Sequence, residues 1–118
     1  MTPLQRIQIK ALHLHDVDVL SGDGLPMSMH VAFLASFEGD EGGDWFHLIV
    51  ATPDAVARWT HEEARWGRAL LIADNFSEAF VRAHLERLVR HRTFETWKDA
   101  AAYLSRYAAW EFEDYQAS

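Results

Sequence analysis

Apolar and polar residues alternate near the start of the chain, with Ile7 and Ile9 on one side and Gln8 and Lys10 on the other, until Leu12 and Leu14 shift the apolar phase. A period of two marks a half-buried strand and a phase shift inside it marks a bulge, so Leu4 to Leu14 is expected to form a bulged first strand. Asp16 to Gly24 places Asp16, Asp18 and Asp23 among two glycines, with Pro26 following, which is loop chemistry. A second strand is expected over Ser28 to Glu38. Glu38-Gly39-Asp40-Glu41-Gly42-Gly43-Asp44 then leads into Trp45-Phe46-His47-Leu48-Ile49-Val50-Ala51, a β-rich run. A glycine-rich tip between two such runs predicts a hairpin.

The period then changes. Thr52-Pro53 supplies an N-cap and a first-turn proline, predicting a short helix from Pro53 to about Thr60 that buries Val56 and Trp59. Gly67 to Ala73 is a short apolar run bounded by Gly67 and Asp74-Asn75, which suits a fourth strand. From Ser77 onward Phe80, Val81, His84, Leu85, Leu88 and Val89 fall on one helical stripe, and Glu78, Arg82, Glu86 and Arg90 step by four on the opposite side. A third helix opens at Thr96, with Asp99 completing a capping-box-like pair and Trp97, Ala101, Leu104 and Ala108 forming its buried stripe. The tail Trp110-Glu111-Phe112-Glu113-Asp114-Tyr115 alternates aromatics with carboxylates and fits either an extended segment or continued helix. One α+β domain spanning 1–118 is expected, with a mainly antiparallel sheet of about four strands, about three helices and the order β-β-β-α-β-α-α.

Composition narrows the function classes. With 49% hydrophobic and 25% charged residues the chain has the make-up of a globular domain, and 118 residues suffice for a core. The absence of cysteine excludes disulfides, thiolate metal sites and a cysteine nucleophile. No signal-peptide pattern opens the chain and no apolar run approaches membrane length, so a cytoplasmic location without membrane contact is expected. The net charge is −7, concentrated in residues 1–76 with 11 acidic against 5 basic residues. Such a field repels nucleic acid and attracts basic proteins.

Candidate chemistry is sparse. His13-x-His15 on a strand puts two imidazoles on one face, and Asp16 and Asp18 follow, so a metal-dependent hydrolase on these four residues is the enzymatic alternative. A lone short motif without a companion argues against it, and a scattered set of seven histidines produces such pairs by chance. No serine has a nucleophile-elbow setting, and Gly39, Gly42 and Gly43 are interleaved with carboxylates that would repel a phosphate. No cofactor, catalytic residue or metal ligand is therefore assigned. Asp40, Glu41 and Asp44 are expected to be wet, and solvated carboxylates keep ordinary acidity. Among five tryptophans most must be core, with Trp66 and Trp110 the candidates for exposed anchors.

In their order along the chain, Asp16-Val17-Asp18, the acid tip leading into Trp45-Phe46-His47-Leu48-Ile49-Val50-Ala51-Thr52-Pro53, Gly67-Arg68, Trp97 and above all Trp110-Glu111-Phe112-Glu113-Asp114-Tyr115 resemble the immunity protein 8 family of bacterial polymorphic toxin systems. The resemblance implies a small non-enzymatic antidote that binds and blocks a toxin encoded beside it. An acidic antidote suits a basic toxin, such as one that cuts nucleic acid. On this reading Asp16, Asp18, Asp40, Glu41, Asp44, Glu111, Glu113 and Asp114 are the expected toxin contacts, while Trp110 and Phe112 dock the tail on the core. A general protein-interaction module is the third reading.

Overall fold

The computed structural model describes residues 3–19, 26–62, 69–74 and 77–112, with the side chains of 16–19, 26, 27 and 59–62 left out of the description. Trp59 as a core side chain, Trp66 as an anchor, Gly67 as a strand start, and Glu113, Asp114 and Tyr115 lie outside what is described.

Three long antiparallel strands form the body: β1 (Gln5–Val19), β2 (Pro26–Phe37) and β3 (Asp44–Ala51). Register runs from Ile7 opposite Phe37 to Val19 opposite Pro26, and from Ser28 opposite Ala51 to Ala35 opposite Asp44. The first strand is longer than its opening alternation suggests, because Asp16-Val17-Asp18-Val19 also alternates and continues the pairing with β2, with a register shift between Asp16 and Asp18. The expected bulge falls between Ile9 and Ala11, which is how Leu12 and Leu14 join Ile7 and Ile9 on the buried side.

Helix α1 (Pro53–Glu62) leads to β4 (Leu70–Ile72), which pairs with β3 in parallel and makes the sheet mixed. Helix α2 (Glu78–Val89) and helix α3 (Trp97–Leu104) are separated by a two-residue strand, β5 (Thr93–Phe94), on the edge of β1, and the chain returns through β6 (Ala109–Trp110) to pair with β3. The sheet order is β4-β3-β2-β1-β5, with β6 beside β4 on the outer edge of β3. The α+β expectation holds with two short strands added, β5 and β6.

Each helix starts where a hydroxyl can satisfy a free N–H. Thr52 Oγ1 accepts from Ala55 N at 3.1 Å, Ser77 Oγ from Phe80 N at 3.1 Å, and Thr96 Oγ1 from Asp99 N at 3.2 Å. One side of the sheet carries Val31, Phe33, Ala35, Phe37, Phe46, Leu48 and Val50, all buried, and receives Val81, Leu85 and Val89 of α2 and Ala100, Ala101 and Leu104 of α3. The alternate positions Ile49 and Ala51, with Leu70, take Ala55 and Val56 of α1 on the opposite side.

Near α1, Ser28 is fully buried, and its hydroxyl finds no hydrogen-bond partner among the described residues. A buried unpaired hydroxyl is unfavourable, so Ser28→Ala is expected to stabilise the fold by about 1 kcal/mol. A lower urea midpoint for the variant than for the parent would refute this.

Candidate functional site

The hairpin between β2 and β3 projects its acids in two different ways. Asp40 and Glu41 are exposed at the turn, while the backbone beneath them is clamped by Lys10, whose Nζ donates to Asp40 O at 2.9 Å and Gly42 O at 2.8 Å. The acid loop is thereby given a fixed base, with Asp40 and Glu41 exposed.

Asp44 behaves differently. Its Oδ2 accepts from Trp97 Nε1 at 2.6 Å and from Trp110 Nε1 at 3.0 Å, so a residue expected to be wet is drawn half into the core. The reason is a demand from the other side: two indole N–H groups enter an aromatic cluster with Phe37 and Phe46 and need an acceptor there. Charge-assisted hydrogen bonds of this kind are stronger than neutral ones.

Glu111 is also used internally. Its N–H donates to Trp45 O at 3.0 Å, and its Oε1 accepts from Trp45 N at 3.0 Å. With Phe46 opposite Trp110, Glu111 lies opposite Trp45, and its carboxylate takes the donor that a continuing strand would have bound through its carbonyl. The tail is thus extended at Trp110, and Trp110 packs inward against Phe46. Phe112, 44% exposed, stands edge-on to Trp110 with centroids 5.6 Å apart.

Asp16 and Asp18 sit on β1 at the end remote from the tip, opposite Met29 and Ser28, so the expected contacts do not form one cluster. Asp40 and Glu41 stand together, Asp44 and Glu111 bind the fold from within, and the β1 pair lies at the far end of the hairpin.

A second polar feature arises from register alone. His13 and His15 on β1, His30 on β2 and His47 on β3 occupy the sheet side opposite the main core. His15 is directly opposite His30, His30 stacks on His47 with centroids 5.2 Å apart, and His13 contacts Trp45 at 5.4 Å. Only His13-x-His15 shows in the sequence; the other two join through pairing of distant segments. Among the described residues no group of three or more histidines and carboxylates is arranged to hold a metal ion, and the side chains of Asp16 and Asp18 lie outside them.

Burial, and then the nearby imidazoles of His47 and His15, lower the pKa of His30 below its usual 6.5. Well above pH 6.5 this ring is neutral both folded and unfolded. As pH falls, the unfolded chain takes up the proton first, so the folded state loses stability until the lower folded value has been passed. Melting temperature is therefore expected to fall between about pH 7 and pH 5, with His30→Gln flattening that part of the profile. Superimposable profiles for parent and variant would show that His30 does not couple to folding.

The fold is a small α+β domain with an acid-tipped hairpin and a tail paired to the sheet edge. Residues 7–115 match the family model of Immunity protein 8, and the chain belongs to that family. Membership implies an immunity protein against a polymorphic toxin, with the cognate toxin as partner. No curated protein and no solved structure matches the chain. Among the described residues no helix is long and apolar enough to cross a membrane.

Proposed function

We propose that this protein neutralises its cognate toxin domain by stoichiometric binding and without chemistry of its own, and that the acid hairpin tip guides it onto a basic face of the toxin. The family match carries the first part. The second is supported by Asp40 and Glu41, which are exposed, adjacent and held over a backbone clamped by Lys10. Preplaced charge at an interface raises the association rate and makes it depend on salt, while leaving dissociation less affected. A toxin that handles nucleic acid would present such a basic face for its own substrate.

Asp44 and Glu111 serve this reading indirectly, by fixing the base of the hairpin to the tail. Asp16, Asp18, Glu113 and Asp114 remain proposed contacts on charge alone.

Co-expression with the neighbouring toxin gene tests the first part, since equal killing with and without this protein would end it. For the second, Asp40→Asn combined with Glu41→Gln, leaving Asp44 intact, is expected to slow toxin association about ten-fold at low salt and flatten its salt dependence. Stopped-flow rates equal to the parent's across the salt range would remove the tip from the encounter surface.

A further inference from the structure

A cavity of about 500 Å³ opens on the core side of β3 and β4, between them, α2 and the turn after α3, and its described charged residues are opposite in sign to the chain as a whole. Phe33, Leu48, Leu85, Leu88 and Tyr103 give it an apolar lining. Concave sites of this volume, mainly apolar with a few polar groups at the mouth, suit a single small molecule.

Among the described lining residues the permanently charged groups are all arginines. Arg87, His91 and Arg92 come from the end of α2 and the turn behind it, and Arg106 comes from the turn after α3; among the described residues no aspartate or glutamate lines the cavity. Arg87, Arg92 and Arg106 are exposed, and among the described residues none has a carboxylate at ion-pair distance. Cations near a helix C-terminus offset its dipole, which accounts for Arg87 and Arg92. Arg106 stands just past the end of α3 in the same way, so helix ends account for each cation singly but not for the meeting of two helix ends at one cavity.

Part of the mouth is held in place before any ligand arrives. The Arg92 guanidinium lies 5.0 Å from the centroid of the Tyr103 ring, and Tyr103 in turn donates its hydroxyl to Leu88 O at 2.8 Å. Stacking of this kind restrains a long side chain and leaves its N–H edge free to meet a carboxylate.

We propose that this cavity binds a small amphiphilic carboxylate, its chain among the apolar residues and its head between Arg92 and Arg106. The site uses no residue of the acid tip, so it stands or falls separately from the toxin reading.

Calorimetric titration with dodecanoate below its micelle concentration tests this on the full chain, with dodecyltrimethylammonium as a cation of equal length. Saturable binding of one equivalent of dodecanoate is expected, with the cation about ten-fold weaker or less. Arg92→Gln combined with Arg106→Gln should weaken dodecanoate about ten-fold while the free protein stays folded, its melting temperature lower by only a few degrees for the lost stacking on Tyr103. No saturable binding, equal affinity for the two chains, or undiminished binding by the variant would each overturn the proposal. So would a variant that loses toxin affinity when the parent binds no dodecanoate, because the cavity would then be a protein-docking site.

Discussion

Asp44→Ala is expected to destabilise the protein by about 3 kcal/mol, because it removes the shared acceptor of two indole N–H groups and leaves both among aromatic rings. For a domain of this size the melting temperature should fall by roughly 10 °C. Asp44→Asn keeps one oxygen in nearly the same place and should lose only about 1 kcal/mol. Trp97 begins α3, Trp110 ends the described sheet edge and Asp44 begins β3, so one carboxylate ties three segments that are far apart in sequence. The ties should be non-additive: once Asp44 is Ala, replacing Trp110 by Phe has no hydrogen bond left to break. A melting temperature for Asp44→Ala within about 2 °C of the parent would show that water satisfies the indoles equally well.

The Asp44 result bears on function because mutating all the tip acids together would confound folding with binding. A triple change that includes Asp44 weakens the base of the hairpin as well as its charge. Asp40 and Glu41, exposed at the turn, can be neutralised without touching the indole pair.

What was legible in the sequence was local. Thr52, Ser77 and Thr96 announce their helices because a cap acts within three residues, and each makes the hydrogen bond its position implies. The bulge in β1 is visible because one extra residue reverses the phase of Leu12 and Leu14. By contrast, β5 is two residues with no periodicity to read, and the parallel direction of β4 follows from the crossing of α1 and not from the run Leu70-Leu71-Ile72 itself. The tail could be helix or strand until its partner was known; pairing of Trp110 with Phe46 decides for strand.

The site was less legible than the fold for the same reason. Whether a carboxylate is wet depends on who reaches it, and the indoles that reach Asp44 come from 53 and 66 residues away. His30 and His47 meet only because β2 and β3 pair in one particular register, one imidazole stacking on the other across the strands. The cations of the cavity read individually as helix-end residues, and their shared mouth exists only once the turn after α3 folds back. Asp40 and Glu41, exposed on a tight turn, are the pair whose environment sequence alone could forecast.

Gly43→Ala is expected to be the most damaging single change at the hairpin, with a loss above about 3 kcal/mol. Gly43 adopts φ +140°, and a Cβ there would lie 2.5 Å from Ala35 O and 3.1 Å from Ala35 C, both backbone atoms that cannot rotate away. Relief requires β2 and β3 to separate where Ala35 pairs with Asp44, and that separation would pull the Asp44 carboxylate off its two indoles. The loss therefore exceeds the conformational penalty alone. Gly39 and Gly42 isolate that penalty, since they have φ +86° and +76° with nothing within 4 Å of a Cβ. Replacing either by Asn, which tolerates the left-handed region, should lower stability by no more than about 1 kcal/mol. Urea midpoints for the three variants decide the matter, and amide spectra around Trp97 and Trp110 locate the damage. If Gly43→Ala unfolds at the same urea concentration as Gly42→Asn, the approach of Gly43 to Ala35 contributes nothing. If Gly43→Ala is the weakest and shifts the indole N–H signals, the glycine that sets the turn is also what delivers Asp44 to its partners. Toxin association by this variant should then fall even though Asp40 and Glu41 are untouched, because their platform has moved.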